Sequence, residues 1–175
     1  MKLADTAGLG FAFDRTEGRE EWLTPPYIIN ALGPFDLDPC APIVRLFDTA
    51  RKHYTVNDDG LAQAWEGRVW LNPPYGDQTT KWVQRLAQHG DGVALIFART
   101  ETATFFPWVW EFASAVLFLR GRVRFYNVDG SQGGTAGAPS CLIAYGDDNA
   151  RALELSKLDG RVIYLRRTES RSKGD

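Results

Sequence analysis

Short apolar runs alternate along this chain with stretches whose apolar positions recur every three or four residues. "GRVWL" (67–71), "GVALIFA" (92–98), "AVLFL" (115–119) and "SCLIAY" (140–145) are apolar almost throughout, which predicts strands buried on both faces. "FDLD" (35–38) alternates in the manner of a strand, and "HYTV" (53–56), "RVRFY" (122–126) and "RVIYL" (161–165) read as further strands. Helical periodicity is clearest in "TTKWVQRLAQHG" (79–90), apolar at 82, 83, 86 and 87 and closed by Gly90 as a C-cap. A short first helix is predicted from Thr24 as cap and Pro25 as first helical position, through "YIINAL" to Gly33. "ETATFFPWVWEFA" (101–113) reads as helix around Pro107, and a last helix is predicted near 148–157.

Continuous apolar strands separated by helices predict an α/β domain with a mostly parallel sheet covered on both faces. The closing succession of strands predicts an antiparallel edge. Residues 1–21 mix Gly, Asp and Glu without a period and are read as a flexible N-terminal arm. The domain then spans 22–166, and 167–175 is read as a disordered basic tail. "DGSQGGTAGAP" (129–139), the only low-complexity stretch, lies between two predicted strands and reads as a mobile surface loop or as a lid that contacts nucleic acid.

The chain's 175 residues, 44% of them hydrophobic, are enough for one packed core and make disorder an unsuitable description. The net charge of −2 carries no global signature of a polyanion or membrane partner. Its distribution is uneven: residues 1–119 hold 10 basic against 15 acidic side chains, and residues 120–175 hold 10 against 7. A polyanion therefore meets the C-terminal third first. Two cysteines 101 positions apart, with no secretory signal, fit a reducing cytoplasm, and no apolar stretch approaches a membrane span. His53 and His89 lack Cys or carboxylate partners at metal spacing, so no metal site is expected.

The chemistry concentrates in "VWLNPPYG" (69–76). In open parallel sheets ligands bind beyond the carboxyl ends of strands, and both "FDLDPCA" and "VWLNPPYG" put a polar residue and proline at such an end. If those strands are neighbours, Asp38 and Asn72 face one crevice. Pro73 and Pro74 fix φ near −65° and stiffen the loop, so its carbonyls have set directions. The Asn72 amide oxygen and the Pro73 carbonyl then accept two hydrogen bonds from one NH₂ group, while Tyr75 offers a ring face. That is a receptor for a planar amine or amide: adenine, cytosine or a glutamine side chain.

"NPPY" behind an apolar strand resembles the catalytic motif of S-adenosylmethionine-dependent enzymes that methylate exocyclic amines in DNA. Together with "WLTPP", "FDLDPCA", "DGL" followed by Trp65, "RVWLNPPYG" and "LRGRVRFY" in that order, the chain is similar over about residues 22–145 to the phage-type DNA N-6-adenine-methyltransferase (phage Dam) family. The resemblance implies a Rossmann-like class I methyltransferase domain, S-adenosylmethionine as cofactor and DNA as partner. It also implies a bacterial host cytoplasm with a phage or prophage origin. Asn72, Pro73, Pro74 and Tyr75 then form the catalytic loop. Asp38, Pro39 and Cys40 fall near the cofactor's amino-acid portion, Thr24 and Pro25 match a segment lining its methionine moiety, and Asp59 occupies the acidic position before the catalytic strand. "DPCAP" departs from the commoner glycine-bearing first motif of such enzymes.

Arg120, Arg122 and Arg124 alternate along a predicted strand, so one face presents basic groups to phosphate, or else they mark a plain solvated edge. The aromatic residues Phe105, Phe106, Trp108, Trp110 and Phe112 read as core or as a cover over the sheet, with one near Pro107 as a wall of the base pocket. Two other readings stay open at this level. One is the same chemistry on a glutamine side chain, RNA or cytosine, and the other is a non-catalytic nucleic-acid-binding module on the same fold.

Overall fold

A computed structural model describes residues 23–127 and 129–165, so the expected N-terminal arm and the basic tail lie outside the described residues. Its elements are α1 (Pro26–Leu32), β1 (Leu37–Asp38), β2 (Lys52–His53), β3 (Val69–Leu71), α2 (Thr79–His89) and β4 (Gly92–Phe97), then a π-helical turn (Phe106–Trp110). They continue with β5 (Ala115–Leu119), β6 (Arg124–Tyr126), β7 (Gln132–Thr135), β8 (Ser140–Tyr145), α3 (Asp147–Leu155) and β9 (Gly160–Tyr164).

Seven strands form one sheet in the order β2-β1-β3-β4-β8-β5-β9. β2, β1, β3 and β4 are mutually parallel. β8 opposes both β4 and β5, and β9 opposes β5, so β8 and β9 alone run against the rest. The molecule is a mixed α/β fold. The expected antiparallel edge is β9, but β8 is interior: its uninterrupted "SCLIAY" is buried at every position because it has a neighbour on each side.

Alternation along β4 builds two cores. Val93 and Leu95 face Ile28, Ile29 and Leu32 of α1 and Leu153 of α3. Ala94 and Ile96 face Val83 and Leu86 of α2 and Val109 of the π-helical turn. Each fully buried Leu, Ile or Val contributes roughly 1.5–3 kcal/mol of transfer free energy, and this two-sided burial is what makes the strand sequences uniformly apolar.

Three local expectations shift. Pro25 rather than Thr24 occupies the N-cap of α1 and Pro26 opens the helix, with no side-chain cap bond; a proline at the first position needs no amide partner there. The 101–113 segment is not a regular helix but turns followed by the π-helical turn. Pro107 brings no N–H to the ladder, and the segment buries only Phe105, Val109 and Ala113, four residues apart, leaving Phe106 and Phe112 exposed. The 129–139 stretch contains β7, which pairs with β6 as a two-stranded sheet. "QGGT" has little side chain to pack, so backbone hydrogen bonding and not apolar pattern makes it a strand.

Candidate active site

β1 and β3 are adjacent and parallel, Leu37 standing beside Val69, so Asp38 and Asn72 leave the sheet at the same carboxyl edge. Beyond that edge lies a cavity of about 460 Å³. Thr24, Asp38, Pro39, Cys40 and Asp59 line it together with Asn72, Pro73, Pro74 and Tyr75. Of the residues expected around one ligand, only Pro25 is not in the wall.

Asp38 is buried at the floor. The Cys40 amide donates to its Oδ1 at 3.2 Å and the Thr49 hydroxyl donates to its Oδ2. Burial pushes the carboxyl up to about 6, against the pull of those two hydrogen bonds and of Arg45. The Cys40 thiol donates to the Asn72 backbone carbonyl at 3.3 Å. Burial, and then the charge of Asp38, hold that thiol well above the ordinary range, so it stays protonated and remains a donor. This bond fastens the loop after β1 to the loop after β3.

The proline loop is anchored at its other end as well, since the Thr79 hydroxyl at the start of α2 donates to the Pro74 carbonyl at 2.8 Å. Tyr75 stacks on Phe97 at the end of β4, with centroids 4.1 Å apart and planes 8° from parallel, and meets Phe125 of β6 edge-on at 6.3 Å. Its hydroxyl is buried without a hydrogen-bond partner among the described residues, and burial raises its pKa. A ring held in this way is oriented by aromatic packing and not by its phenol.

On the opposite wall, Asp59 sits exposed at the rim in a left-handed conformation, φ 50°. The next residue, Gly60, passes so close to Pro39 that a β-carbon would stand 1.9 Å from the Pro39 carbonyl oxygen. The Gly60 carbonyl accepts the Trp65 indole N–H at 2.8 Å, and Trp65 stacks over Trp82 at 6.2 Å. Thr24 is buried beside Leu23, whose amide and carbonyl both pair with Tyr126 at 2.9 and 3.1 Å. The β6–β7 hairpin therefore stands behind two residues of the cavity lining, Leu23 and Tyr75.

The three arginines do not share a strand. Arg120 follows β5 and lies 4.0 Å from Asp159, Arg122 donates to the Ala136 carbonyl at 3.3 Å, and only Arg124 is in β6, donating to Gln132 at 3.4 Å. Arg122 and Arg124 are exposed while Val123 and Phe125 are buried, so those two share a face. None of the aromatic residues 105–112 is in the cavity wall. Among the described residues no His, Cys, Asp and Glu cluster suits a metal ion, and no helix is long and apolar enough to cross a membrane. His53 accepts the Ala50 amide at 3.4 Å, and the His89 ring bonds the Gly67 carbonyl at 2.7 Å.

Arg45, Phe47, Thr49, Thr55, Val56, Trp70 and Trp82 also line the cavity and were not singled out by sequence. Most come from the 42–56 segment, in which the sequence offered only "HYTV" as a strand and no candidate for chemistry.

A family model described as DNA N-6-adenine-methyltransferase (Dam) matches residues 14–155. No curated protein and no solved structure matches the chain.

Proposed function

The chain belongs to the DNA N-6-adenine-methyltransferase (Dam) family, and from that premise we propose its reaction: a methyl group passes from S-adenosylmethionine to the exocyclic N6 amine of an adenine in DNA. The observation that carries this reading is the single cavity shared by the Asp38 and Asn72 loops and closed by the Cys40–Asn72 bond. The strand order, with a parallel half ending at β4 and a reversed strand β8 between β4 and β5, supports a Rossmann-like class I fold. A phage or prophage enzyme acting in the cytoplasm of a bacterial host is part of the same proposal.

The residues present fit the cofactor. The cavity's 460 Å³ falls within the roughly 300–1,000 Å³ of ligand pockets, its walls are largely apolar, and one buried carboxylate faces it. Asp38, Cys40, Thr24 and Asp59 would hold S-adenosylmethionine, which supplies an electrophilic methyl when bound. Asp38, ionised above its raised pKa of about 6, complements a positive charge there.

The chain's own contribution is positioning and electrostatics. N6 is a poor nucleophile because its lone pair is delocalised into the purine. The Asn72 amide oxygen and the Pro73 carbonyl accept its two N–H groups, which aims the lone pair and stabilises the positive charge that develops as the N–C bond forms and the methyl C–S bond breaks. S-adenosylhomocysteine would leave as the neutral thioether and one N6 proton would be lost to water. The proline pair keeps those acceptors from relaxing away. Tyr75, backed by Phe97, stacks on a base that has left the duplex, at a cost of a few kcal/mol for unstacking.

Transfer of labelled methyl to unmethylated single- and double-stranded DNA, followed by nucleoside analysis, tests this directly. Label is expected in N6-methyladenine, with the rate falling about 10²-fold or more in Asn72→Ala. Cofactor binding with no DNA label in the unaltered chain sinks the proposal and moves the search to RNA or glutamine acceptors.

A further inference from the structure

Arg99 lies just past the end of β4, exposed, at the carboxyl edge of the sheet that also carries Asn72. Its guanidinium carbon stands 5.6 Å from the centroid of the Phe97 ring, the ring on which Tyr75 stacks at 4.1 Å. The Arg99 guanidinium and the Tyr75 ring thus meet the same Phe97 ring. Other arginines around this edge are engaged. Arg45 pairs with Asp48 at 3.1 Å, and Arg120 lies 4.0 Å from Asp159. Arg99 makes no ion pair among the described residues.

A ring-held guanidinium keeps its planar donor fork oriented while leaving its charge unneutralised. Such a group suits a phosphate, which takes charge-assisted, bidentate hydrogen bonds. We infer that Arg99 is a backbone anchor: it contacts a phosphate of the strand that supplies the target base, and through Phe97 it sets that contact in register with the base-stacking face of Tyr75. This rests on the DNA-methylating reading above and adds to it a residue outside both the proline loop and the Arg120–Arg124 segment. The physical gain is alignment, because phosphate contacts fix position while carrying no sequence information. A base stacked on Tyr75 and a phosphate held by Arg99 are tied together by one rigid aromatic step.

The test compares the full chain with Arg99→Gln and Arg99→Lys, measuring binding of labelled DNA by anisotropy over a range of salt, with methyl transfer and cofactor binding alongside. One lost phosphate contact lowers the slope of log K against log salt by about 0.9, or about threefold in affinity across a fourfold rise in salt. Arg99→Gln is expected to show that loss and a raised KM for DNA, with cofactor affinity and melting temperature unchanged. Arg99→Lys is expected to restore the salt slope but not the KM, since a point charge replaces an oriented fork. An Arg99→Gln slope and KM equal to those of the unaltered chain overturn the inference while leaving the methyltransferase reading intact. No DNA labelling by the unaltered chain defeats that reading, and the inference falls with it.

Discussion

Burial holds the Asp38 carboxyl at about 6 against an ordinary 3.8, so between those values the folded chain keeps a proton that the unfolded chain has lost. The resulting stabilisation is complete below the unfolded value and disappears as pH rises through about 6. Above that, the ionised buried group costs on the order of 3 kcal/mol relative to a neutral one. The ligand-free protein is therefore expected to lose stability between about pH 4 and about pH 6, and Asp38→Asn to flatten that decline and melt higher above it. An amide fits the site: its oxygen still accepts the Cys40 amide, and its NH₂ donates to the Thr49 hydroxyl. The same substitution is expected to weaken S-adenosylmethionine binding at least tenfold, because a cation loses its counter-charge. Urea or thermal melts across pH, paired with calorimetric titration, read both effects. A chain whose stability climbs over that range would show that Asp38 is not the strained group it is taken for. Legibility at this scale was high where chemistry is intrinsic: Asp38, Asn72 and Tyr75 are unusual residues to find behind apolar strands. It was low for Thr49 and Arg99, whose partners, Asp38 and Phe97, are defined only by contact.

Whole segments obey packing that single residues do not reveal. The Gly60 segment lies against the Pro39 loop with no room for a methyl group, a β-carbon there falling 3.2 Å from Trp82 as well. Gly60→Ala must push one cavity wall away from the other. A stability loss of about 1–3 kcal/mol is expected from overpacking, together with a cofactor Kd raised roughly tenfold, about 1.4 kcal/mol. Differential scanning calorimetry and titration check the pair; a variant that binds as well as the unaltered chain would mean that this contact does not shape the cavity. β3, β4, β5, β8 and α2 were readable from pattern, because each is long or uniformly buried enough for its periodicity to dominate. β7 was not, since "QGGT" earns its strand only by pairing with β6. The 101–113 segment misled because its apolar residues are periodic while Pro107 denies the ladder a donor.

For the molecule as a whole, binding at a cavity built from separate segments must couple to folding. At a cofactor concentration about a hundred times Kd, ligation contributes about 2.7 kcal/mol, which for a chain of this size raises the melting temperature by roughly 5–10 °C. Thermal shift with S-adenosylmethionine is the check, and an unchanged melting point at saturating cofactor would count against the site. The sequence by itself determined most of the strand and helix alternation, the two polar, proline-bearing loops behind apolar strands and the family they resemble, since these depend on local propensity, burial period and residue type. Tertiary structure alone decided that β1 lies beside β3 and that β8 inserts between β4 and β5. It also decided that Cys40 bonds Asn72 and that Phe97 backs Tyr75. Those facts depend on which strands pair and which side chains meet across long separations in the chain, and no local window contains the partners.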